Sequence, residues 1–435
     1  MNTSANSGSH QAGSASTGRA AAAAQLLNDP HAAYEQLREQ APATPMRAPD
    51  GTLMWIVTRY DDVRTVLGDP RFANNPATVP GDKAPQMQIN GMRDLGMDEE
   101  LIPYLADTLL DNDAPDHARL RKVVTHAFTA RRVAALRPWI EGLTEDLLDA
   151  LPGHAENGVV DFLTHFAYPL PITVICELVG VAEADRPKWL KWSHDLAFNQ
   201  EAMGGTLREI VDYTHALVER RRADPTDDLL SALIRTRDED GDRLSDRELV
   251  TLVLSLVIAG HDTTANQIAN GVWALLTHPD QRALLHEHPD RMPEAVQELL
   301  RWCGPVLLSR MRYVTEDMDL GWARFTAGDV VMAVLSSANH DPRQFADPSR
   351  LDVDRCPAGR GEQHVSFGSG SHYCLGAGLA RLEVETALGA LLRRHPDLAL
   401  GTAPQNLAWL PLPGMRKLAR LPLILGPTAP GGRPS

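Results

Sequence analysis

The stretch "FGSGSHYCLG", Phe367 to Gly376, decides how the chain reads. It sets Cys374 among Gly368, Gly370 and Gly376, with His372 two residues before the thiol. Directly after it, "LGAGLARLEVETALGALLRR" is amphipathic, so a helix opens just beyond the cysteine. Cys374 therefore sits near a helix N-terminus, where unpaired N–H groups and the dipole favour a thiolate. The three glycines let the backbone approach something bulky and flat. A buried structural cysteine in a turn is the plainer reading, and the commoner fate of a free thiol. A dinucleotide-binding loop fails, because Tyr373 stands where G-x-G-x-x-G needs its last glycine. A haem iron does need one thiolate in such a cage, because the sulfur pushes electron density toward O–O cleavage.

Around that stretch lies an ordinary globular composition: 43% hydrophobic and 23% charged residues in a chain of 435. A net charge of −15 excludes the basic footprint of a nucleic-acid binder. Cys176, Cys303, Cys356 and Cys374 show no C-x-x-C spacing, which speaks against a zinc ribbon or a disulfide framework. Reduced thiols in a cytoplasm fit better. Residues 1–20 are rich in Ser, Gly and Ala and read as a flexible tail, without the charged start and apolar core of a secretory signal. Residues 21–435 read as a single domain, mainly α with a small β part. The longest apolar run, residues 249–260, is too short for a bilayer, so no membrane is expected.

Along the chain, "HAAYEQLREQ" predicts a short helix ending before Pro42, and "GTLMWIVTRY" at 51–60 a strand. Residues 72–112, with Pro76, Pro80, Pro85 and Gly91, predict a long irregular loop. Helix follows helix from 114 to 303, short strands and turns fill 310–360, and short strands end the chain.

"LSDRELVTLVLSLVIAGHDTTANQIANGVWALLTHP" opens on a capping box, Ser245 with Glu248, and ends near His278 before Pro279. That gives about 32 helical residues, or about 48 Å at 1.5 Å per residue. Its first half is apolar all round, so it belongs inside the protein. Its middle holds Gly260, His261, Asp262 and Thr263. A kink with threonines bonding back to carbonyls would explain them. So would a groove in which Ala259 and Gly260 make room for a ligand beside an acid and an alcohol, a pair able to relay protons.

Taken together, these residues resemble the cytochrome P-450 superfamily. "FGSGSHYCLG" matches its F-G-x-G-x-H-x-C-x-G signature at every fixed position, and the likeness runs from about residue 25 to 425. The resemblance implies the cytochrome P-450 fold, with a long central helix over haem b. Cys374 becomes the axial thiolate and metal ligand, with Phe367 beside the sulfur and N–H donors following it, Gly376 included. "AGHDTT" resembles the oxygen-activating motif and puts Asp262 and Thr263 on the proton relay. "ELLR" resembles E-x-x-R. Without the likeness, Glu298 and Arg301 are an ordinary i, i+3 pair; with it, they form a buried latch joined by Arg355. His117 and Arg121, one turn apart in "HARLR", with Arg312 and His372, become partners of the haem propionates.

The implied activity is a monooxygenase that inserts one oxygen atom from O₂, by hydroxylation or epoxidation, into an apolar small molecule. The pattern is similar to actinobacterial enzymes that tailor polyketides and macrolides. Met87, Met92, Met97, Val306, Leu307 and Leu308 are expected near substrate, with Gly204 and Gly205 as a lid hinge. No flavin or nicotinamide fingerprint is present, so a ferredoxin with its reductase is the expected electron donor. Residues 117–132 hold Arg119, Arg121, Lys122, Arg131 and Arg132, and with Arg121 assigned to a propionate the remaining four offer the donor a basic surface. Oxidative coupling or cyclisation by the same haem, and a haem-binding sensor without turnover, are the competing readings. Two departures stand out: Thr326 replaces a turn proline, and Arg310 adds a charge near the expected cavity.

Overall fold

The computed structural model describes residues 30–47, 53–79, 83–94, 97–236, 244–355, 362–412 and 414–427. The expected tail, Cys356 and the side chain of Met87 lie outside them. Eleven helices carry the argument: α1 Pro30–Gln40, α2 Tyr60–Gly68, α3 Lys83–Asp94, α4 Asp116–Ala127, α5 Arg137–Ala150, α6 Pro169–Val179, α7 Arg186–Phe198, α8 Met203–Ala223, α9 Asp246–Thr277, α10 Met292–Cys303 and α11 Ala377–Arg394. A five-stranded sheet holds β1 Ala43–Arg47, β2 Leu53–Val57, β3 Phe72–Ala73, β4 Arg312–Val314 and β5 Val330–Ala333. Its order is β1-β2-β5-β4-β3. β1 and β2 form an antiparallel hairpin, and β2 runs parallel to β5.

α9 is the axis of the helical body. Ser245 Oγ accepts the N–H of Glu248 while the Glu248 side chain accepts that of Ser245, completing the expected capping box. The helix runs unbroken for 32 residues. Its first half is buried from Leu249 to Leu254 because α6 and α8 cover it. Two glycines mark where neighbours cross. A Cβ at Gly260 would lie 3.0 Å from Ile175 Cδ1 of α6. One at Gly271 would lie 3.1 Å from Leu388 of α11 and 3.7 Å from Leu299 of α10. Gly260 thus serves helix packing, and Ala259 alone lies on the open side of the groove expected there. By length and composition α9 is apolar enough to cross a membrane, contrary to the reading of residues 249–260 alone, but 56% of its most apolar window is buried against other helices.

Three local expectations change. The 72–112 segment contains α3 and a short helix, Ile102–Ala106. Pro85 falls in the first turn of α3, where its missing N–H is harmless. Gly204 and Gly205 sit in the first turn of α8, not between helices. Thr326 keeps the turn without proline: its N–H donates to Asp329 Oδ2 at 2.8 Å, and Gly328 takes φ +90°.

Candidate active site

Cys374 is placed by a loop that bonds to itself. Its N–H donates to Phe367 O at 2.9 Å, and Gly368 N–H donates to Val365 O at 2.9 Å. Gly368 and Gly370 take φ +76° and +74°, the left-handed region that favours glycine. A Cβ on Gly370 would lie 2.8 Å from Leu67 O, so this glycine seats the loop on the end of α2. Gly376 differs, since among the described residues beyond its chain neighbours no atom lies within 4 Å of where its Cβ would be. Burial pushes the Cys374 thiol up, while the N–H groups of Gly376 and Ala377 and the Arg121 guanidinium pull it down. Arg121 reaches the loop directly, donating to Tyr373 O at 2.7 Å. Phe367 lies under Arg381, whose Cζ is 4.8 Å from the ring centroid. Arg381 also donates to Tyr373 Oη at 2.8 Å, and that hydroxyl donates to Glu362 at 2.9 Å. Arg381 and Glu362 carry no signal in the sequence for this contact.

His117 and Arg121 of α4, Arg312 of β4 and His372 of the cysteine loop converge as expected. The His117 and His372 rings stack at 3.9 Å. Burial is the first cause of the depressed pKa of all four: Arg312 falls to about 10 and His372 to about 3. Among the described residues, His117 Nε2 and Arg312 Nε have no hydrogen-bond partner. His372 is less free than expected, because its Nε2 lies 2.8 Å from Asn74 Nδ2. Asp113 holds that corner by accepting the N–H groups of Asn74 and Asn75. A group of buried bases with unspent donors suits carboxylates of a ligand.

On α9, Thr263 Oγ donates to Ala259 O at 2.6 Å, the back-bonding that the sequence allowed. Asp262 points elsewhere, since consecutive helical residues diverge by about 100°. Its Oδ1 accepts from Lys417 Nζ at 2.8 Å, Tyr168 Oη at 3.0 Å and Asn266 Nδ2 at 3.2 Å. The two relay candidates share no hydrogen bond among the described residues, and Lys417 and Tyr168 were not foreseen. Behind them, burial holds His261 neutral, at about 4, with Nε2 2.5 Å from Ser193 Oγ.

The latch forms as expected. Arg301 donates to both Glu298 oxygens at 2.7 Å, and Arg355 Nε donates to Oε1 at 3.0 Å. Arg301 also donates to the carbonyls of Asn339, Pro348 and Arg350. Arg310 pairs with buried Asp111, which also accepts from Gln88 and Thr108. Of the basic stretch at 117–132, Arg119 pairs with Glu248 and Arg132 with Asp227, and the side chains of Lys122 and Arg131 are exposed.

A thiol in a glycine loop, a cluster of buried bases and a long helix carrying an acid and an alcohol define the haem-thiolate oxygenase class. The family description Cytochrome P-450 matches residues 22–396, and the chain belongs to this family. It is 42% identical to the cytochrome P-450 monooxygenase PikC of Streptomyces venezuelae, over 91% of each chain. It is 41% identical to the 6-deoxyerythronolide B hydroxylase of Saccharopolyspora erythraea, over 90% of this chain and 95% of that one. The solved structure of the bacillaene polyketide synthase cytochrome P-450 PksS from Bacillus subtilis 168 superimposes with a TM-score of 0.81 at 35% identity, covering 92% of this chain and 98% of that one. The protein is thus a monooxygenase that binds haem b and works with O₂, a substrate and redox partners. The residues present fit that cofactor: an open glycine face beside a thiol, and unspent buried donors for its two carboxylates.

Proposed function

We propose that the protein inserts one oxygen atom, by hydroxylation or epoxidation, into a large and mostly aliphatic polyketide or macrolide, as a cytoplasmic enzyme of secondary metabolism. The names of two relatives support this substrate class: one hydroxylates 6-deoxyerythronolide B and another belongs to a polyketide synthase system. Cys374 Sγ holds the iron, and His117, Arg121, Arg312 and His372 face the propionates. When bound, haem b supplies the oxygen-activating redox chemistry. The protein's own work at the sulfur is to offset part of what burial costs a thiolate, through the Gly376 and Ala377 N–H groups and Arg121, with Phe367 shielding the sulfur. Asp262 and Thr263 hand on protons, Asp262 as the group that exchanges with solvent and Thr263 as the hydroxyl on the open side of α9.

Electrons come from a ferredoxin and its reductase. Their support is a groove of ≈ 370 Å³ lined by Phe128, Val133, Arg137, Leu375, Gly378 and Leu382, one residue from the thiol. Arg131, which follows the lining residue Ala130, is exposed. The observation that carries the whole reading is Cys374 held in a self-bonded glycine loop, its N–H on Phe367 O, directly before the start of α11. Its test is Cys374→Ser: the red-shifted carbonyl Soret band of the reduced protein should vanish, and its persistence would refute the ligand assignment. Candidate polyketides that convert the iron from low to high spin, followed by mass analysis of products, identify the substrate.

A further inference from the structure

We propose that Lys417 is a positioning residue: by gripping Asp262 at Oδ1, it keeps Oδ2 as the oxygen through which a proton is exchanged. The inference rests on the reading of Asp262 and Thr263 as a relay. Three donors from three parts of the chain converge on Oδ1: Lys417, Tyr168 and Asn266. Among the described residues, none of the hydrogen bonds to this carboxylate ends on Oδ2.

The pair is asymmetric. The Lys417 side chain is 4% exposed and that of Asp262 27%. A lysine is almost never enclosed like this unless paired, so the cation is committed while the acid stays open to exchange. The backbone around Lys417 is pinned as well. Lys417 O accepts from Leu410 N at 2.8 Å, and Arg416 N donates to Pro305 O at 2.7 Å. Asn270 of α9 donates to Arg416 O at 3.1 Å. The ammonium is therefore fixed to the helix that bears the acid. Its stem passes Tyr168, with Nζ 5.9 Å from the ring centroid. The other titratable groups facing Asp262 do not compete. Burial and the nearby carboxylate raise Tyr168, and burial keeps His261 neutral. A buried pair kept for stability alone is often replaceable by apolar residues. One kept for proton transfer is not, because losing the cation leaves the carboxylate free to turn.

The experiment uses the haem-loaded protein. The carboxylate infrared bands lost in Asp262→Asn are compared in wild type, Lys417→Met and Lys417→Arg. Losing the one-sided grip on Oδ1 should change the splitting between the two carboxylate stretches, and arginine should restore it. Hydrogen peroxide released per reductant consumed, with 6-deoxyerythronolide B as probe, should rise in Lys417→Met and not in Lys417→Arg. An unmoved splitting in Lys417→Met overturns the inference. If Asp262→Asn leaves the peroxide ratio unchanged, the relay reading itself fails, whatever Lys417 does to the splitting. Should Lys417→Met fold poorly, Lys417→Gln keeps a donor without the charge and gives the same measurement.

Discussion

At the residue scale, charge burial is the dominant theme, and partners decide what each buried group does. Glu298 and Arg301 are 0% exposed, yet two arginines and a backbone N–H occupy the carboxylate. The histidines follow the opposite course. His364 uses Nε2 toward Gln297 Oε1 at 3.1 Å and accepts Ser366 N–H at Nδ1, an arrangement that needs the neutral ring. Burial lowers it to about 3, and His261 to about 4. In the unfolded chain both return to about 6.5. Between those values the unfolded state binds more protons, so stability rises with pH and is fully present above about 6.5. His364→Gln should therefore flatten the dependence of unfolding free energy between pH 6 and pH 4, by up to about 1.4 kcal/mol per pH unit. Urea unfolding at several pH values measures that slope, and an unchanged slope refutes the assignment.

At the scale of elements, α9 shows how one sequence run serves packing and chemistry together. Its cap, length and apolar first half follow from local rules, whereas the meaning of Gly260 does not. In isolation Gly260→Ala would favour the helix by about 1 kcal/mol. In the protein the added methyl meets Ile175 at 3.0 Å, and overpacking costs about 1–3 kcal/mol. The expected net effect is a modest loss of stability, largely recovered in Gly260→Ala with Ile175→Val, because the two sites touch. Thermal unfolding of the single and double variants checks this; additive losses would remove the contact as the cause. α3 teaches the converse, since a proline and a glycine read as breakers were accommodated in its first turn and on its exposed side.

At the scale of the whole molecule, the cysteine loop, the start of α11, the short helix Ala130–Ala135 and the start of α5 meet around the groove at Leu375. The structure narrows the basic stretch: Arg119 is spent on Glu248 and Arg132 on Asp227. Arg131, next to the lining residue Ala130, is exposed, and Arg137 lines the groove while pairing with Glu385 at 3.1 Å. Reversing both charges should slow ferredoxin-driven turnover, more so at low ionic strength, and spare turnover driven by added peroxide. Equal loss in both assays would refute a docking role.

The cysteine loop, the capped central helix and the E-x-x-R pair were legible because each is a contiguous run whose chemistry is local. Backbone conformation, helix caps and i, i+3 spacing depend on near neighbours in sequence. The partner of Asp262 was not legible: Lys417 lies 155 residues away on a hairpin with no motif of its own. The same holds for Ile175 against Gly260, and for Asp111 against Arg310. The sequence by itself determined the family, the cofactor and the candidate ligand. Only the folded chain decided which buried charge faces which, because electrostatic pairing in a protein interior is set by proximity in space, which the order of residues does not encode.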